Sequence, residues 1–388
     1  MSPGADPLAA TAMLRRHLGR VLAPTSGALC TAIHPADEML TYPMQVLGRS
    51  AHDAVLEYFQ VGHATFSLLT QVLEWLSTSW PRLGNLLDFA AGYGRVARFL
   101  ATSGCAQVTV SDILPGAVEF QAEVLGVRGL PSNASPDRAD LRGPYEFISV
   151  ISLFSHLPEA TFAGWLRRLT GALAPGGTMV FTTHGELAFA REAGTGLRSN
   201  GLVFHAASES AQLDRSSYGT TFVHPDHVRR LIAGLPHASL LAMVPHGLNE
   251  HQDVYVVGRD RPAPDVPLRL SPPPKVHVDE AERRADGTLH AAGWALDGWG
   301  REPVASVRLF AAERSLGPAR LGGSRPDLAR VFGSARAGEG GWSSGSHEPV
   351  APADWLTALA VDAGGRRGFA CRALSRPAAT PHAERGAR

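Results

Sequence analysis

The stretch that most constrains this chain is Asn85-Leu86-Leu87-Asp88-Phe89-Ala90-Ala91-Gly92-Tyr93-Gly94-Arg95-Val96-Ala97-Arg98-Phe99-Leu100. A short apolar strand ends on an acid, breaks into a turn of small residues and restarts as a helix. Gly92 and Gly94 permit a tight turn and let backbone N–H groups approach a ligand, while the helix from about Arg95 points its positive end at the same place. The combination reads as a nucleotide-type pocket.

Two cofactor readings meet here, because Gly92 to Ala97 also satisfies the G-x-G-x-x-G/A spacing of a dinucleotide fold. Asp88 separates them. Its carboxylate closes the strand and faces the ligand, where it would repel a pyrophosphate but attract the ammonium and sulfonium of S-adenosylmethionine. The stretch resembles motif I of the class I S-adenosylmethionine-dependent methyltransferases, with Asp88, Gly92 and Gly94 matching and Ala90 standing where a first glycine is usual. Further motifs follow in register over about 100 residues. Gln107 to Ile113 is a β-branched run ending on a second acid, Asp112, 18 residues beyond Gly94. Tyr145 to Phe154 reads as a buried strand, followed by Ser155-His156-Leu157-Pro158-Glu159 and an amphipathic helix through Phe162, Trp165, Leu166, Leu169 and Leu173. Pro175-Gly176-Gly177 ends that helix and starts the strand Thr178 to Thr183.

The resemblance implies an α/β fold, a Rossmann-like seven-stranded class I methyltransferase sheet over residues 51–260, with S-adenosyl-L-methionine as cofactor. It implies cofactor contacts at Asp88, Ala90, Gly92, Gly94, Asp112 and Ile113, with Asp112 accepting the ribose hydroxyls. Adenine falls to the loop from Ser132 to Asp140, where Asp137 and Asp140 both qualify. Leu240 to Val244 and Asp253 to Val257 read as the antiparallel pair that completes the sheet. The rival reading of the same turn is a nicotinamide-dependent oxidoreductase, and a non-catalytic binding protein is the third.

Composition narrows the partners. Basic and acidic residues balance at 36 each, which removes the electrostatic footprint of a general nucleic-acid binder and favours a neutral or small acceptor. Cys30, Cys105 and Cys371 are far apart and show no C-x-x-C spacing, so neither a disulfide framework nor a zinc knot is expected, and the reading is cytoplasmic. Asp6, Arg15 and Arg16 interrupt any signal-peptide core, and no apolar run approaches the roughly 20 residues of a membrane span.

Ahead of the pocket, residues 1–50 read as a helical and irregular extension with a helix through Met13, Leu14, Leu18 and Leu22. A helical pattern from Ala51 breaks near Gly62, resumes through Phe66 to Leu76, and stops at Pro81; Tyr58 and Phe59 on it read as core. His184 to Gly219 is a long polar insertion after a strand's carboxyl end, where α/β enzymes place acceptor contacts. Residues 261–275 carry six prolines and read as a stiff linker. Residues 276–374 then give strand-like runs at Leu289 to Leu296, Val304 to Phe310, Trp355 to Val361 and Phe369 to Leu374, expected as an all-β sandwich. Its phrases Gly293-Trp294-Ala295-Leu296-Asp297 and Arg325-Pro326-Asp327-Leu328 resemble small β-sandwich modules of bacterial glycan-processing enzymes and methyltransferases. Trp294 and Trp342 read as sandwich core, with stacking on sugars as their use if exposed. Residues 375–388 read as a disordered tail.

Methyl transfer to a hydroxyl needs a base, and histidine titrates near neutrality. His156 and His184, each just past a strand end beside the cleft, are the catalytic candidates, with His251 and Tyr218 behind them. His224 and His227 stand three apart at a helix start without an acid or cysteine at ligand spacing, so no metal is expected. The function expected is O-methylation of a sugar, glycan or other hydroxylated small molecule.

Overall fold

In this computed structural model of the protein, residues 7–22, 29–193, 196–197, 201–208, 210–284, 286–311, 314–344 and 355–375 are described. Two units divide the chain, Met1–Pro272 and Pro273–Arg388. The first begins with α1 (Pro7–Ala10), α2 (Ala12–Val21), α3 (Glu38–Gln45) and α4 (Ala51–Trp75). Ser50 caps α4, accepting the Asp53 N–H while its hydroxyl donates to the Asp53 carboxylate. The sequence breaks this helix at Gly62 and carries it towards Pro81, whereas the structure runs it unbroken and ends it at Trp75. Gly62 is there for packing. A Cβ at that position would run into the Arg95 carbonyl and the Phe99 ring, so α4 lies tight against the segment that follows the glycine turn.

Next come β1 (Leu86–Phe89), α5 (Ala97–Leu100), β2 (Val108–Asp112), α6 (Pro115–Leu125), β3 (Arg128–Pro131), β4 (Tyr145–Val150) and α7 (Glu159–Gly171). The unit continues with β5 (Leu173–His184), α8 (Glu186–Ala193), β6 (Leu202–His205), β7 (Thr220–Val223), α9 (Pro225–Ala233), β8 (Ala238–Leu248) and β9 (Gln252–Arg259). Strands β3, β2, β1, β4 and β5 lie side by side in parallel; β9 joins β5 antiparallel and β8 joins β9 antiparallel. These are the seven strands of the expected Rossmann-like sheet. β1 and β2 are buried along their whole length, as strands covered on both faces must be. One core packs Phe89, Phe162, Trp165 and Phe181 with α7 and α9, and another packs Leu69, Leu73, Leu100 and Val256 with α4.

Chain order reverses between β1 and β4, so the crevice at their carboxyl ends is where an open α/β sheet binds its ligand. The insertion adds two strands to the seven. β6 and β7 pair antiparallel, and β7 meets β5 through the single pair His184 and Phe222. The sheet therefore forks at His184, which pairs with Phe222 of β7 and with Gln252 of β9, while β9 runs on along β5 to Thr178.

The proline-rich stretch expected over 261–275 as a stiff linker is bound to α4 along part of its length. Trp75 Nε1 donates to the Val266 carbonyl at 2.6 Å, and Gln71 exchanges two hydrogen bonds with Ser271 at 3.0 and 2.9 Å. Leu270 is buried in the α4 core and Leu268 packs beside it. Prolines keep the segment extended, yet its apolar residues still find α4, and the first unit runs on to Pro272. A chain ending at Pro272 is expected to fold, while one ending at Asp260 should melt roughly 5 °C lower for loss of the Leu270 burial and its flanking hydrogen bonds. Thermal melts of the two truncated chains decide this; equal midpoints would mean the segment contributes nothing.

The second unit comprises β10 (Lys275–Arg283), β11 (Leu289–Leu296), β12 (Ser306–Ala311), β13 (Arg314–Pro318), β14 (Arg320–Gly323), α10 (Pro326–Phe332), β15 (Gly341–Ser343), β16 (Trp355–Val361) and β17 (Arg367–Ala373). Its strands form two four-stranded antiparallel sheets, in the orders β10-β11-β15-β14 and β13-β12-β16-β17. Residues of both sheets, among them Val278, Ala291, Val307, Leu309, Leu356 and Ala358, share one core. Trp342 is buried in that core and so closed to a sugar, whereas Trp294, expected in the core as well, lies outside it, half-buried against Phe332 of α10 and His277. The Asp362 carboxylate accepts the Gly364 and Arg366 N–H groups and closes the β16–β17 hairpin. Of the expected tail, residues 376–388 lie outside the described residues. Ser375 is tied to β10 through Ala281 and Arg283.

Candidate active site

After β1 the chain turns through Ala90, Gly92 and Gly94 at φ values of 58°, 54° and 85°. Glycine adopts this left-handed backbone freely. Alanine at position 90 does so at a cost of about 1 kcal/mol. A Cβ at Gly92 would meet nothing within 4 Å, so that side of the turn is open, while Gly94 sits under Gln121 and Leu125 of α6. Gln121 also donates to the Gly92 carbonyl at 2.7 Å and pins the turn from below.

Buried acids surround this turn. Asp88, 3% exposed, accepts the Ser149 hydroxyl on Oδ1 at 2.6 Å, which the direct pairing of Asp88 with Ser149 across β1 and β4 makes possible. Its Oδ2 is buried without a hydrogen-bond partner. Burial pushes the carboxyl up to about 7 despite the Ser149 bond, with the charge of Asp112 adding to the rise. Asp112, at the end of β2, accepts the Leu114 N–H at 2.9 Å and the Gly92 N–H at 2.8 Å, which fastens strand end to turn. Burial raises its pKa as well, against those backbone bonds. The field of a third buried acid, Asp37, reaches Asp112 and Tyr93. An electronegative cradle of this kind suits a cation and opposes a pyrophosphate.

Ile113 projects beside Asp112 with 41% of its surface exposed, an apolar flank to the same crevice. Asp137 stands exposed on a single 3-10 turn, Pro136–Arg138, and makes no hydrogen bond to Asp112 or to the glycine turn. Asp140 is occupied locally, accepting the Arg142 N–H at 3.1 Å. The structure thus gathers Asp88, Ala90, Gly92, Gly94, Asp112 and Ile113 into one place but leaves Asp137 outside that hydrogen-bonded group.

A second cluster lies past the carboxyl ends of β4 and β5, where β7 and β9 begin. His156 bonds the Gly219 carbonyl through Nδ1 at 2.7 Å, and its ring stacks on Tyr218 with centroids 4.5 Å apart. Backbone bonds from Gly219 N to His156 O and from Thr221 N to Ser155 O hold the two segments together. His184 ends β5, its ring 6.2 Å from His156, 4.9 Å from His251 and 5.6 Å from Phe222. All four sequence candidates therefore converge. Burial pushes His184 down to about 3, with His251 and His156 adding to the fall, so its ring is neutral at physiological pH and a weak base. That separates it from the catalytic role expected of it alongside His156.

Sequence reasoning passed over Ser149 and Ser152, and met Gln252 only as part of the segment His251-Gln252-Asp253 just before the last strand. Ser149 was legible as the one serine in the strand Tyr145–Val150. Gln252 pairs with His184 across β5 and β9, and its side chain bonds the Ser152 hydroxyl at 3.0 Å. Ser152 itself is held at φ 64° with its N–H on the Thr182 hydroxyl, a strained position of the sort that collects at functional sites. Long-range pairing of β5 with β9 brings Gln252 beside His184. His224 caps helix α9, its Nδ1 accepting the Asp226 N–H, and His227 faces Glu159 of α7. Among the described residues no group of three or more metal-ligating side chains is present.

Residues 61–213 match the family described as a methyltransferase domain. These residues carry a methyltransferase domain. The match begins within α4 and ends within the insertion, so β7 to β9 and the second unit lie beyond it. No curated protein matches the sequence. Among solved structures the chain is similar to the N-methyltransferase NodS from Bradyrhizobium japonicum WM9 in complex with S-adenosyl-L-homocysteine, at 14% identity over 51% of this chain and 86% of that one, with a TM-score of 0.35. It is similar to CalS10, an amino pentose methyltransferase from Micromonospora echinaspora, at 16% identity over 54% and 97% with a TM-score of 0.39. The 1,6-didemethyltoxoflavin-N1-methyltransferase from Burkholderia thailandensis gives 14% identity over 67% and 93% with a TM-score of 0.38. At these identities and scores the likenesses say nothing of this chain's acceptor. The methyltransferase domain's residues fit the cofactor: the unpartnered Asp88 oxygen answers a cation, the open side of Gly92 admits a ligand, and Asp112 retains accepting lone pairs. Among the described residues no helix is long and apolar enough to cross a membrane.

Proposed function

We propose that this methyltransferase transfers a methyl group to a hydroxyl of a neutral small molecule or glycan, with His156 as the general base. The observation that carries the reading is the bond from His156 to the Gly219 carbonyl. A carbonyl only accepts, so Nδ1 holds the ring hydrogen, and in that tautomer Nε2 carries the lone pair. Stacking on Tyr218 fixes the plane of the ring. The imidazole is thereby set to take a hydroxyl proton in one orientation.

Bound S-adenosylmethionine supplies an activated methyl group on a sulfonium. The chain's part is to hold it and to manage the acceptor. Asp88 answers the ligand ammonium, Asp112 accepts the ribose hydroxyls and Ile113 flanks the adenine, with Asp137 the acid nearest the adenine loop that is not tied to its own turn. At the other end His184, neutral, and Gln252 offer hydrogen bonds to a hydroxylated acceptor without placing a charge beside it. Gln252 bonds the Ser152 hydroxyl and the His184 ring, so these two side chains present neutral polar atoms. The balanced charge of the chain supports a neutral acceptor in the same way.

A screen of hydroxylated metabolites, oligosaccharides and amino sugars with methyl-labelled cofactor tests the assignment. Label in an ether, lost in His156→Gln, is the expected result. Label confined to amines would overturn the O-methylation reading. Tighter binding of NAD than of S-adenosylhomocysteine would return the turn to the oxidoreductase reading.

A further inference from the structure

Three segments distant in sequence meet at Arg98, which is 1% exposed. Its Nε donates to the Gly94 carbonyl of the cofactor turn at 3.0 Å. Nη1 donates to the Cys30 and Ala32 carbonyls at 2.9 and 2.8 Å, and Nη2 to the Tyr58 hydroxyl of α4 at 3.0 Å. That hydroxyl donates in turn to Asp37 Oδ2 at 2.8 Å, while Asp37 Oδ1 accepts the Met39 N–H and starts α3. One planar guanidinium, with several donors in a fixed fork, thus binds the strap 29–38 to the turn. His34 of the strap lies flat on Tyr93, the residue between the two turn glycines, at 4.4 Å.

The strap then reaches the insertion. Glu38 Oε1 accepts the Ala211 N–H at 2.8 Å, and Gln212 Nε2 donates to the Ala36 carbonyl at 3.2 Å. From Gln212 the chain passes through Asp214, whose carbonyl accepts the Tyr218 N–H, to the Tyr218 ring stacked on His156. The two junctions differ in kind. Arg98 is buried and multiply bonded, a permanent fastening, whereas the Glu38 and Gln212 bonds are exposed and individually weak.

We propose that Arg98 is a positioning residue for the cofactor turn, and that the strap is a latch which carries occupancy of that turn to the acceptor end through Glu38 and Gln212. This deepens the proposed function and rests on its placing of the acceptor at His156. Filling the turn steadies the strap, the strap steadies residues 210–219, and Tyr218 then holds the base. The cofactor consequently binds first and the acceptor second.

Hydrogen exchange on the full-length protein tests the latch with S-adenosylhomocysteine as the probe. The expected result is slowed exchange in both 29–45 and 210–219 on binding. Glu38→Ala should keep the affinity within about twofold and keep protection of the strap, yet abolish the response of 210–219. Arg98→Lys should weaken binding at least about tenfold, and if it fails to fold, Tyr58→Phe, which removes one hydroxyl, should weaken binding several-fold with strap protection reduced. A wild-type insertion indifferent to the ligand, or a Glu38→Ala protein that responds as the wild type does, overturns the latch alone. Wild-type protein that does not bind S-adenosylhomocysteine overturns the methyltransferase reading beneath it.

Discussion

His156→Gln is expected to lower turnover on the acceptor by at least about a hundredfold while S-adenosylhomocysteine affinity stays within about twofold. Glutamine keeps a donor for the Gly219 carbonyl and much of the ring's bulk, but offers no nitrogen that can hold a proton. His184→Gln should cost far less, about tenfold, because a ring pushed down to about 3 is already neutral and acts only as a hydrogen-bonding partner. The pH profile distinguishes the two roles. Between pH 5 and 8 His184 does not titrate, so any acidic limb of kcat should vanish in His156→Gln and persist in His184→Gln. Steady-state kinetics of both variants, with melting temperatures to exclude unfolding, checks this; equal modest losses would move the base elsewhere.

The second large effect concerns Asp88. In the ligand-free protein its carboxyl is raised to about 7 by burial, so near neutrality it is about half protonated. A cation placed against Oδ2 favours the ionised form, so binding should release a proton below about pH 7, and affinity should rise with pH up to about tenfold per unit before levelling near pH 8. Asp88→Asn should flatten that dependence and bind S-adenosylhomocysteine roughly ten- to a hundredfold more weakly at pH 8. Stability runs the opposite way. A carboxyl whose folded pKa lies above its unfolded value favours folding below about pH 4, and that advantage is lost as pH rises towards 7. The ligand-free Asn variant should therefore be the more stable one at pH 8, by a few kcal/mol at most. Calorimetry in buffers of different ionisation enthalpy reads the proton release, and pH-independent affinity in the wild type would remove the assignment.

The sheet was legible because its strands announce themselves. β1, β4 and β5 are apolar runs bounded by acid, proline or glycine, and the acids at 88 and 112 fall where strand ends must place them. Contributors that arrive through long-range pairing were not. Nothing near Gln252 tells of His184, since the register of β5 against β9 makes them neighbours. Arg98 looks like a surface charge on a short helix, and Asp37 like one in an irregular stretch, until the strap that carries Asp37 folds over Arg98. Gly62 misled by the ordinary rule that glycine interrupts a helix, which packing against the Arg95 carbonyl overrode. In the second unit, β10 escaped notice because its alternation begins directly after a proline run, and the shortness of β14 and β15 hid them.

The fork of the first sheet at His184 has a consequence for how such a protein changes over time. The hairpin of β6 and β7 meets β5 through one residue pair and the segment after β4 through the Gly219 and Thr221 backbone bonds, while the strands around the cofactor turn are locked along their length on both sides. A part held by a few bonds at one end opens at a lower free energy than the strands of the core. Substitutions and length changes there are absorbed locally, without loosening Asp88 or Asp112. Under the proposed function, rewriting the hairpin alters the acceptor side of the site while the cofactor turn stays as it is.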